Sequence, residues 1–350
     1  MTSSHQARHL VLRYGWNSTA YQILNPGIQH WFSAEAPAVA GYVTRAGTMV
    51  IAGAPVCAPE SLPTVIRELE SHAKSRGQRT CYFHASQRLA GHFQSSPHHS
   101  RIALGAQPVW NPGEWPEILK RRPSLRAQLA RAKNKSVTVT LRPATALRDD
   151  LHFRSCLAAW LRSRPLPPMH FLVEPHTHQG ELADRILLIA RQRETPVAYL
   201  LASPIPQRNG FLVEQILRSP AAPNGTAELL IDALMSHLAA AGRTYLTLGL
   251  SPLCRESDPH LQSNPLWLRA LMALARTRGR RFYDFDGLDK FRSKLCPSHW
   301  EPVYAITNER RFSPRSLYAL LAAFSEKPLP LFAFGALARS IRRFASSPCI

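Results

Sequence analysis

The order of strand-like and helix-like segments restricts this 350-residue chain to a mixed α/β fold. Between residues 38 and 56, two β-rich runs flank a glycine-containing turn at residues 45–47, which is typical of a hairpin. Apolar residues then recur at helical spacing over residues 62–76, and a further strand-like run follows over residues 80–86. Residues 149–251 repeat this alternation of helix and strand in coarse form. The pattern predicts two similar α/β units side by side.

A strongly basic segment lies at the end of the first unit. Residues 120–142 contain eight basic groups and no acid, and we place the boundary between the units near residues 136–145. Leu125, Leu129 and Ala132 form a narrow apolar stripe, with Ser124 available as a helix cap. The segment is therefore predicted to be a helix that contacts a polyanion, or alternatively an ordinary solvated helix face.

Charge and composition narrow the class of protein. The chain carries 43 Lys+Arg against 23 Asp+Glu, a formal charge of +20, which favours polyanionic partners. Hydrophobic residues make up 45%, enough to expect a packed globular protein. We find no apolar window of membrane-spanning length and no signal-peptide core, and the six scattered cysteines fit reduced thiols in a cytosolic protein.

One strand-to-helix junction is a candidate anion site. The predicted strand that ends at Arg218 is followed by a loop that brings Asn224, Gly225 and Thr226 to the start of a helix. Backbone N–H groups at such a position can hold an anion. The glycine-rich turn that binds coenzyme A in N-acetyltransferases is missing, because Ser, Pro and Ala follow Arg218. Coenzyme A is therefore disfavoured as the donor.

Aromatic and basic residues alternate over residues 280–306. Lys290, Arg292 and Lys294 occur at every second position, which predicts charges on one side of an extended segment or around a turn and suits phosphate contact. The alternative is an aromatic core with solvated lysines. Three histidines in a proline-rich stretch, at residues 170, 176 and 178, are interpreted as solvated, and no metal site is predicted.

Five stretches in the same chain resemble the DUF2156 family, the C-terminal catalytic domain of aminoacyl-phosphatidylglycerol synthases such as lysyl-phosphatidylglycerol synthase. They are residues 41–56, 124–135, 223–230, 245–253 and 281–306. The resemblance spans residues 20–306 and implies tandem acetyltransferase-like (GNAT) folds joined by a basic helix, in the α/β (α+β) class. On this basis we predict an N-terminal domain over residues 1–140, a catalytic domain over residues 141–312 and an amphipathic basic tail over residues 313–350.

The family also implies a reaction and its site. Aminoacyl-tRNA would be the donor and a phosphatidylglycerol hydroxyl the acceptor, with no cofactor. Arg218 and Lys294 match positions expected near the reacting centre, for phosphate holding or charge stabilisation. Gln215 stands where the family usually has an acid, and the adjacent Glu214 is expected to face the other side of the strand. The residues assigned to substrate binding are Asn224, Gly225, Thr226, Tyr283, Asp284, Lys290 and Glu301. Those assigned to tRNA binding are Arg126, Arg131, Lys133 and Lys135.

Membrane contact is expected to be peripheral. The membrane-spanning half of many relatives does not occur in this sequence, so a partner membrane protein is possible and we expect a cytoplasmic protein at the inner face of the cell membrane. The segment from Ser313 onward is interpreted as two short amphipathic pieces on the lipid surface, or as a helix packed on the body of the protein. Two other functions stay open: acyl transfer from another activated donor, and non-catalytic binding of anionic lipid or RNA.

Overall fold

One mixed sheet runs through the computed structural model, which describes residues 3–278 and 283–325. Its strands are β1 (Gln29–Phe32), β2 (Val39–Arg45), β3 (Thr48–Ala52), β4 (Arg79–Ala85), β5 (Ser100–Trp110), β6 (Val137–Pro143), β7 (Ile186–Gln192), β8 (Thr195–Ile205), β9 (Gly210–Arg218), β10 (Tyr245–Thr247), β11 (Ser251–Pro252) and β12 (His299–Thr307). They follow the order β1-β2-β3-β4-β12-β5-β10-β9-β8-β7-β6, with β11 beside β5. The predicted α/β class is confirmed.

Helices cover both faces of this sheet. They are α1 (Ser3–Tyr14), α2 (Leu62–Ser75), α3 (Gln87–His92), α4 (Trp115–Arg121), α5 (Pro123–Asn134), α6 (Leu151–Ser163), α7 (Thr226–Ala240), α8 (Asp258–Leu261), α9 (Leu266–Arg278), α10 (Phe285–Ser293) and α11 (Pro314–Ala323). No helix within the described ranges, 3–278 and 283–325, combines the length and apolarity needed to cross a bilayer.

The predicted hairpin forms as the sequence indicates. β2 and β3 are antiparallel, with Arg45 opposite Thr48. The two residues between them, Ala46 and Gly47, both adopt left-handed backbone angles, with φ of 48° and 69°. This is the turn whose twist matches that of the flanking strands.

The far C-terminal strand completes the first half of the sheet. β12 lies between β4 and β5 and is antiparallel to both. β10 joins the halves, because it pairs antiparallel with β5 and parallel with β9. The sheet is therefore continuous across residue 140, and the division at that point stays a prediction.

The basic segment forms two helices rather than one. Pro123 disfavours a helical conformation for the residue before it, so α4 ends at Arg121 and α5 begins at Pro123. The predicted cap at Ser124 is wrong, since Arg122 is the N-cap residue and makes no side-chain cap bond. The apolar stripe is confirmed: Leu125, Leu129 and Ala132 are buried in the core cluster that contains α7.

The start of the predicted tail packs on the body of the protein. Ser313 caps α11 by accepting a hydrogen bond from the backbone N–H of Ser316. Ala319, Leu320 and Ala323 are buried against β2 and β3. This part of the tail is therefore a helix packed on the body of the protein, as the second interpretation predicted. The amphipathic pieces predicted beyond residue 325 lie outside the described residues.

Candidate functional site

A cavity of about 790 Å³ opens between β9, α10 and the proline-rich loop that follows α6. Its outer wall is mostly apolar but also contains Ser163 and Arg164. The wall residues include Trp160, Leu161, Pro165, Leu166, Pro167, Pro168 and Met169. Polar groups lie on the β9 and α10 side, from Gln215, Tyr283, Asp284 and Arg292. An apolar cleft with a few convergent polar groups is the usual form of a ligand site.

A β-bulge shapes the floor of this cavity. Leu201 lies opposite Gln215 but Ala202 lies opposite Val213, so Glu214 is an extra residue in β9. Both Glu214 and Gln215 contribute to the cavity lining, but the Glu214 side chain is only 1% exposed, so the expectation that it faces the other side of the strand stays a prediction.

The Glu214 carboxylate is already paired. Arg185 donates from Nε at 2.9 Å and from Nη2 at 3.1 Å, and both side chains are almost fully buried. Arg185 also donates to the Asn25 Oδ1 atom at 2.7 Å. Removing either member would leave the other charge buried and unpaired, so this pair is structural.

Gln215 uses both ends of its amide. Its Nε2 donates to the carbonyl oxygen of Glu174 at 2.7 Å, and its Oε1 accepts from the Thr177 hydroxyl at 3.1 Å. These bonds fix β9 to the loop at the cavity rim. A carboxylate could accept from Thr177 but could not donate to Glu174, which gives a physical reason for an amide here.

The predicted extended geometry around Lys290 is wrong, because the segment is helix α10. Residues two apart on a helix point in nearly opposite directions, whereas residues four apart share a face. Arg292 is accordingly buried, while Lys290 and Lys294 are exposed. Helical periodicity through this stretch was the signal that would have separated Arg292 from its two neighbours.

Arg292 forms hydrogen bonds where the backbone leaves the sheet between β10 and β11. A single strand is predicted over residues 244–251, but it divides into β10 and β11 at Gly249, where φ is +70°. Arg292 donates to the carbonyl oxygens of Leu248 and Gly249, the latter at 3.0 Å, and to the Ser251 hydroxyl at 2.7 Å. The guanidinium thus satisfies carbonyls that leave the strand ladder.

Among the described residues, none of the three groups to which Arg292 donates is a carboxylate. Burial lowers the pKa of Arg292 to about 10, so the side chain stays cationic at neutral pH. A guanidinium has more N–H donors than these three bonds use. The sequence groups Arg292 with Lys290 and Lys294 for phosphate contact but does not assign it to catalysis or substrate binding; in the structure it lines the cavity as a buried positive charge.

Tyr283 and Asp284, which the sequence assigns to substrate binding, lie at the cavity wall. Burial raises the pKa of Tyr283, so its phenol is a protonated donor at neutral pH. Asp284 caps α10, with Oδ1 accepting from the Gly287 N–H at 2.8 Å.

Lys294 and Arg218 lie at the margin. The ammonium of Lys294 pairs with Glu228 in the first turn of α7 and lies 4.7 Å from the centre of the Phe291 ring. Phe291 and Ala227 line the cavity, so this pair is next to it. Arg218 is exposed at the end of β9, one residue beyond the cavity-lining Leu217.

The predicted anion-binding turn is covered by α5. Gly225 has φ of +92°, and a Cβ atom there would lie 2.1 Å from the carbonyl oxygen of Gln128. Glycine is therefore needed for the approach of α5. Thr226 is fully buried and donates to the Pro223 carbonyl oxygen at 2.6 Å, which leaves Asn224 as the exposed residue of the three.

Glu301 lies outside the cavity, in a buried network at the junction of the two halves. It pairs with Arg208 and accepts from Gln107 at 2.8 Å and from the Tyr245 hydroxyl at 3.1 Å. Burial alone would raise the pKa of Glu301, but hydrogen bonding and charge from Arg208, with Gln107, lower it to about 2. This network joins β12 to β5 and β10.

The residues assigned to tRNA are all exposed, but they lie on two flanks of α5 and at its C-terminal end. We call this set the α5 basic face, and it consists of Arg126, Arg131, Lys133 and Lys135. Arg126 also donates to the carbonyl oxygens of Leu119 and Lys120, at 2.7 and 2.6 Å, and so bridges the break between α4 and α5. All four remain positioned for contact with a polyanion.

The prediction that the three loop histidines are solvated is wrong for His178, which is buried with its ring 5.8 Å from that of His176. His170 Nδ1 lies 2.8 Å from Glu174, and burial, together with the nearby His176 and Arg154, lowers the pKa of His178. Within the described part of the chain, the group whose ligand atoms lie close enough to share a metal ion is Cys254, Glu256 and Asp289.

Known proteins with a similar sequence or structure identify the family. The sequence profile of the phosphatidylglycerol lysyltransferase, C-terminal family matches residues 8–307. The lysylphosphatidylglycerol biosynthesis bifunctional protein LysX of Mycolicibacterium gilvum (strain PYR-GCK) is 24% identical over 292 residues, which cover 81% of this chain. The match spans 26% of that relative, so the chain corresponds to about a quarter of it.

Two crystal structures share the fold. The C-terminal DUF2156 domain of a putative lysylphosphatidylglycerol synthetase from Agrobacterium fabrum has a TM-score of 0.73 at 19% identity, covering 92% of this chain and 97% of that one. L-PGS from Bacillus licheniformis has a TM-score of 0.71 at 18% identity, covering 95% of each chain. At such identities the likeness concerns the fold, and the sequence profile carries the assignment: this chain belongs to the phosphatidylglycerol lysyltransferase, C-terminal family.

Proposed function

We propose that this protein is an aminoacyltransferase that moves an amino acid from aminoacyl-tRNA to the hydroxyl of phosphatidylglycerol or a similar membrane lipid. The observation that carries the proposal is the cavity at β9 and α10, where the buried cation of Arg292 lies behind an apolar wall. An acceptor with an anionic headgroup and an apolar body matches a cavity that has a cation on one side and an apolar wall on the other. Family membership supports the same assignment.

The reaction requires no covalent intermediate on the protein. The lipid hydroxyl oxygen bonds to the ester carbonyl carbon and releases its proton, the bond to the tRNA ribose oxygen breaks, and the departing ribose oxygen takes up one proton, so that atoms and charge balance. The ester is already activated, so catalysis consists of positioning the two substrates and stabilising the negative charge on the carbonyl oxygen.

The cavity residues divide these tasks. Arg292 and the phenol of Tyr283 supply positive charge and a hydrogen bond toward an anionic group. Asp284 makes no ion pair within residues 3–278 and 283–325, so it is the lining carboxylate available to an α-ammonium group. Lys294 and Arg218, at the margin, remain assigned to phosphate contact.

The α5 basic face would hold the tRNA. Its helix packs directly against the Gly225 turn at the start of α7, and α7 contributes Ala227 to the cavity wall. Polyanion binding on α5 would therefore bring the acceptor end toward the cavity. A lipid acceptor also implies work at the inner face of the cell membrane as a peripheral protein, alone or beside a membrane protein.

The direct test supplies purified protein with lysyl- or alanyl-tRNA and detergent-dispersed phosphatidylglycerol, and detects aminoacylated lipid by mass spectrometry. Arg292→Lys keeps a charge but loses the planar fork, and Tyr283→Phe removes one hydroxyl. We expect each to lower the rate, Arg292→Lys by ~10²–10³. The matched controls are Arg67→Lys on α2 and Tyr318→Phe on α11, both at exposed positions.

The outcomes separate three functions. Aminoacylated lipid from the unaltered protein supports the proposal, and its mass identifies the amino acid. Full rates in the Arg292→Lys and Tyr283→Phe variants would remove these residues from the site. Binding of tRNA and lipid without transfer would instead favour a non-catalytic binder, and transfer from another activated donor would favour a different acyltransferase.

A further inference from the structure

Helix α9 presents an unusually apolar outer surface. Leu266, Trp267, Leu271 and Leu274 are 78%, 38%, 43% and 50% exposed. Trp267, Leu271 and Leu274 follow the i, i+4, i+7 spacing that places side chains on one helix face. An adjacent side holds the helix to the protein, since Leu268 is buried. Contiguous exposed apolar groups of this kind generally mark an interaction surface.

The charges of α9 identify the kind of partner. The helix contains three arginines and no acidic residue. Arg276 lies 3.6 Å from Asp286 of α10, while Arg269 and Arg278 are exposed. A helix with an apolar face, arginines and a tryptophan matches the surface of a bilayer that contains anionic lipid. An acid-free helix also disfavours a basic partner, including a second copy of this strongly basic chain.

We propose that α9 docks this protein on an anionic bilayer, with Trp267, Leu271 and Leu274 at the boundary between headgroups and acyl chains. The ion pair between Arg276 and Asp286 ties α9 to α10, which contributes Leu288 to the cavity wall. Docking through α9 would therefore hold the cavity beside the bilayer. The inference rests on the proposed function only for the identity of the lipid acceptor.

Vesicle binding tests the docking surface. The full chain is sedimented with phosphatidylglycerol vesicles and, separately, with phosphatidylcholine vesicles. Changing Trp267, Leu271 and Leu274 together to Ser should weaken binding to phosphatidylglycerol vesicles at least ten-fold. The control variant, Leu141→Ser with Leu151→Ser, removes exposed leucines from β6 and α6 and should bind like the unaltered chain.

Three results would overturn the proposal. They are unchanged vesicle binding by the α9 variant, equal loss in the control variant, and complete loss on truncation after Ser325 while the α9 variant still binds. A change from dimer to monomer in the α9 variant without a change in vesicle binding would assign α9 to self-association instead.

A transfer assay keeps this proposal separate from the reaction. With a short-chain, water-soluble phosphatidylglycerol, the α9 variant should transfer at the unaltered rate, whereas on vesicles its rate should fall with its binding. Absence of transfer in both assays, with vesicle binding still dependent on α9, would refute the proposed reaction and leave the docking surface standing.

Discussion

Replacing Gln215 with Glu introduces the acid that the resemblance to the family implies at this position, and the structure predicts that this change is harmful. The substitution keeps the shape of the side chain but removes the N–H that donates to the Glu174 carbonyl oxygen at 2.7 Å. It places a carboxylate oxygen against that carbonyl. The bond to the Thr177 hydroxyl survives, because a carboxylate also accepts.

The magnitude follows from one lost bond and one unsatisfied acceptor. Leaving a buried carbonyl without its donor costs about 1–3 kcal/mol, and the lower half of that range applies because Gln215 is only partly buried. For a chain of 350 residues the entropy of unfolding is about 0.7 kcal/mol/K, so about 1–2 kcal/mol lowers the unfolding midpoint by roughly 1–3 °C. The rim loop should loosen, so transfer should fall as well.

The pH dependence gives a sharper signature. The new carboxyl should have a folded-state pKa above the ordinary ~4.3, because its protonated form can donate to the Glu174 carbonyl. A raised pKa means that the group's stabilising contribution is present at low pH and is lost as pH rises through the folded pKa. The stability gap to the unaltered protein should therefore be widest at neutral pH, shrink as pH falls through the raised folded-state pKa, and reach its minimum below about pH 4.3.

Thermal unfolding from pH 3.5 to 7.5, alongside the transfer assay, measures both effects. Thr177→Val is the matched control, because it removes the other amide contact without adding a charge. Higher transfer in Gln215→Glu with an unchanged unfolding midpoint would refute this reasoning and would restore the role of an acid at this position.

Three further predictions concern packing, charge and tRNA. Gly225→Ala should lower the free energy of unfolding, measured in urea, by about 2–5 kcal/mol, because a Cβ atom would lie 2.1 Å from the Gln128 carbonyl oxygen and φ is +92°. A decrease of less than about 1 kcal/mol would contradict this prediction. Glu301→Gln should lower the free energy of unfolding by about 1–2 kcal/mol at pH 7, because it weakens the ion pair with Arg208. The lowered pKa of Glu301 means that only the ionised carboxylate stabilises the fold, so this loss should disappear as pH falls from ~4.3 toward 2, and a loss that does not change with pH would contradict the prediction. Changing the α5 basic face to Ala should weaken tRNA binding and flatten the log–log salt slope by about 3, and an unchanged slope would return α5 to a solvated face.

Several elements could be predicted from the sequence alone, because local chemistry determines them. The β2–β3 hairpin, the apolar helix α7 and the buried stripe of α5 depend on contacts between residues near each other in sequence, or on a periodicity that one face must satisfy. The order of strand-like and helix-like segments was enough to predict the α/β class, and the five stretches that resemble the family were enough to predict the family that the profile confirms.

Tertiary structure decided the features that position the site. The bulge at Glu214 depends on how β8 pairs with β9, and the division of the predicted 244–251 strand depends on Arg292, which is more than forty residues away in sequence. Gly225 looked like part of an anion loop but is needed where α5 crosses it. Each of these follows from contacts between distant segments, and periodicity within one segment carries no information about them. The charge that the chain places in its cavity is therefore visible only once α10 is packed against the sheet.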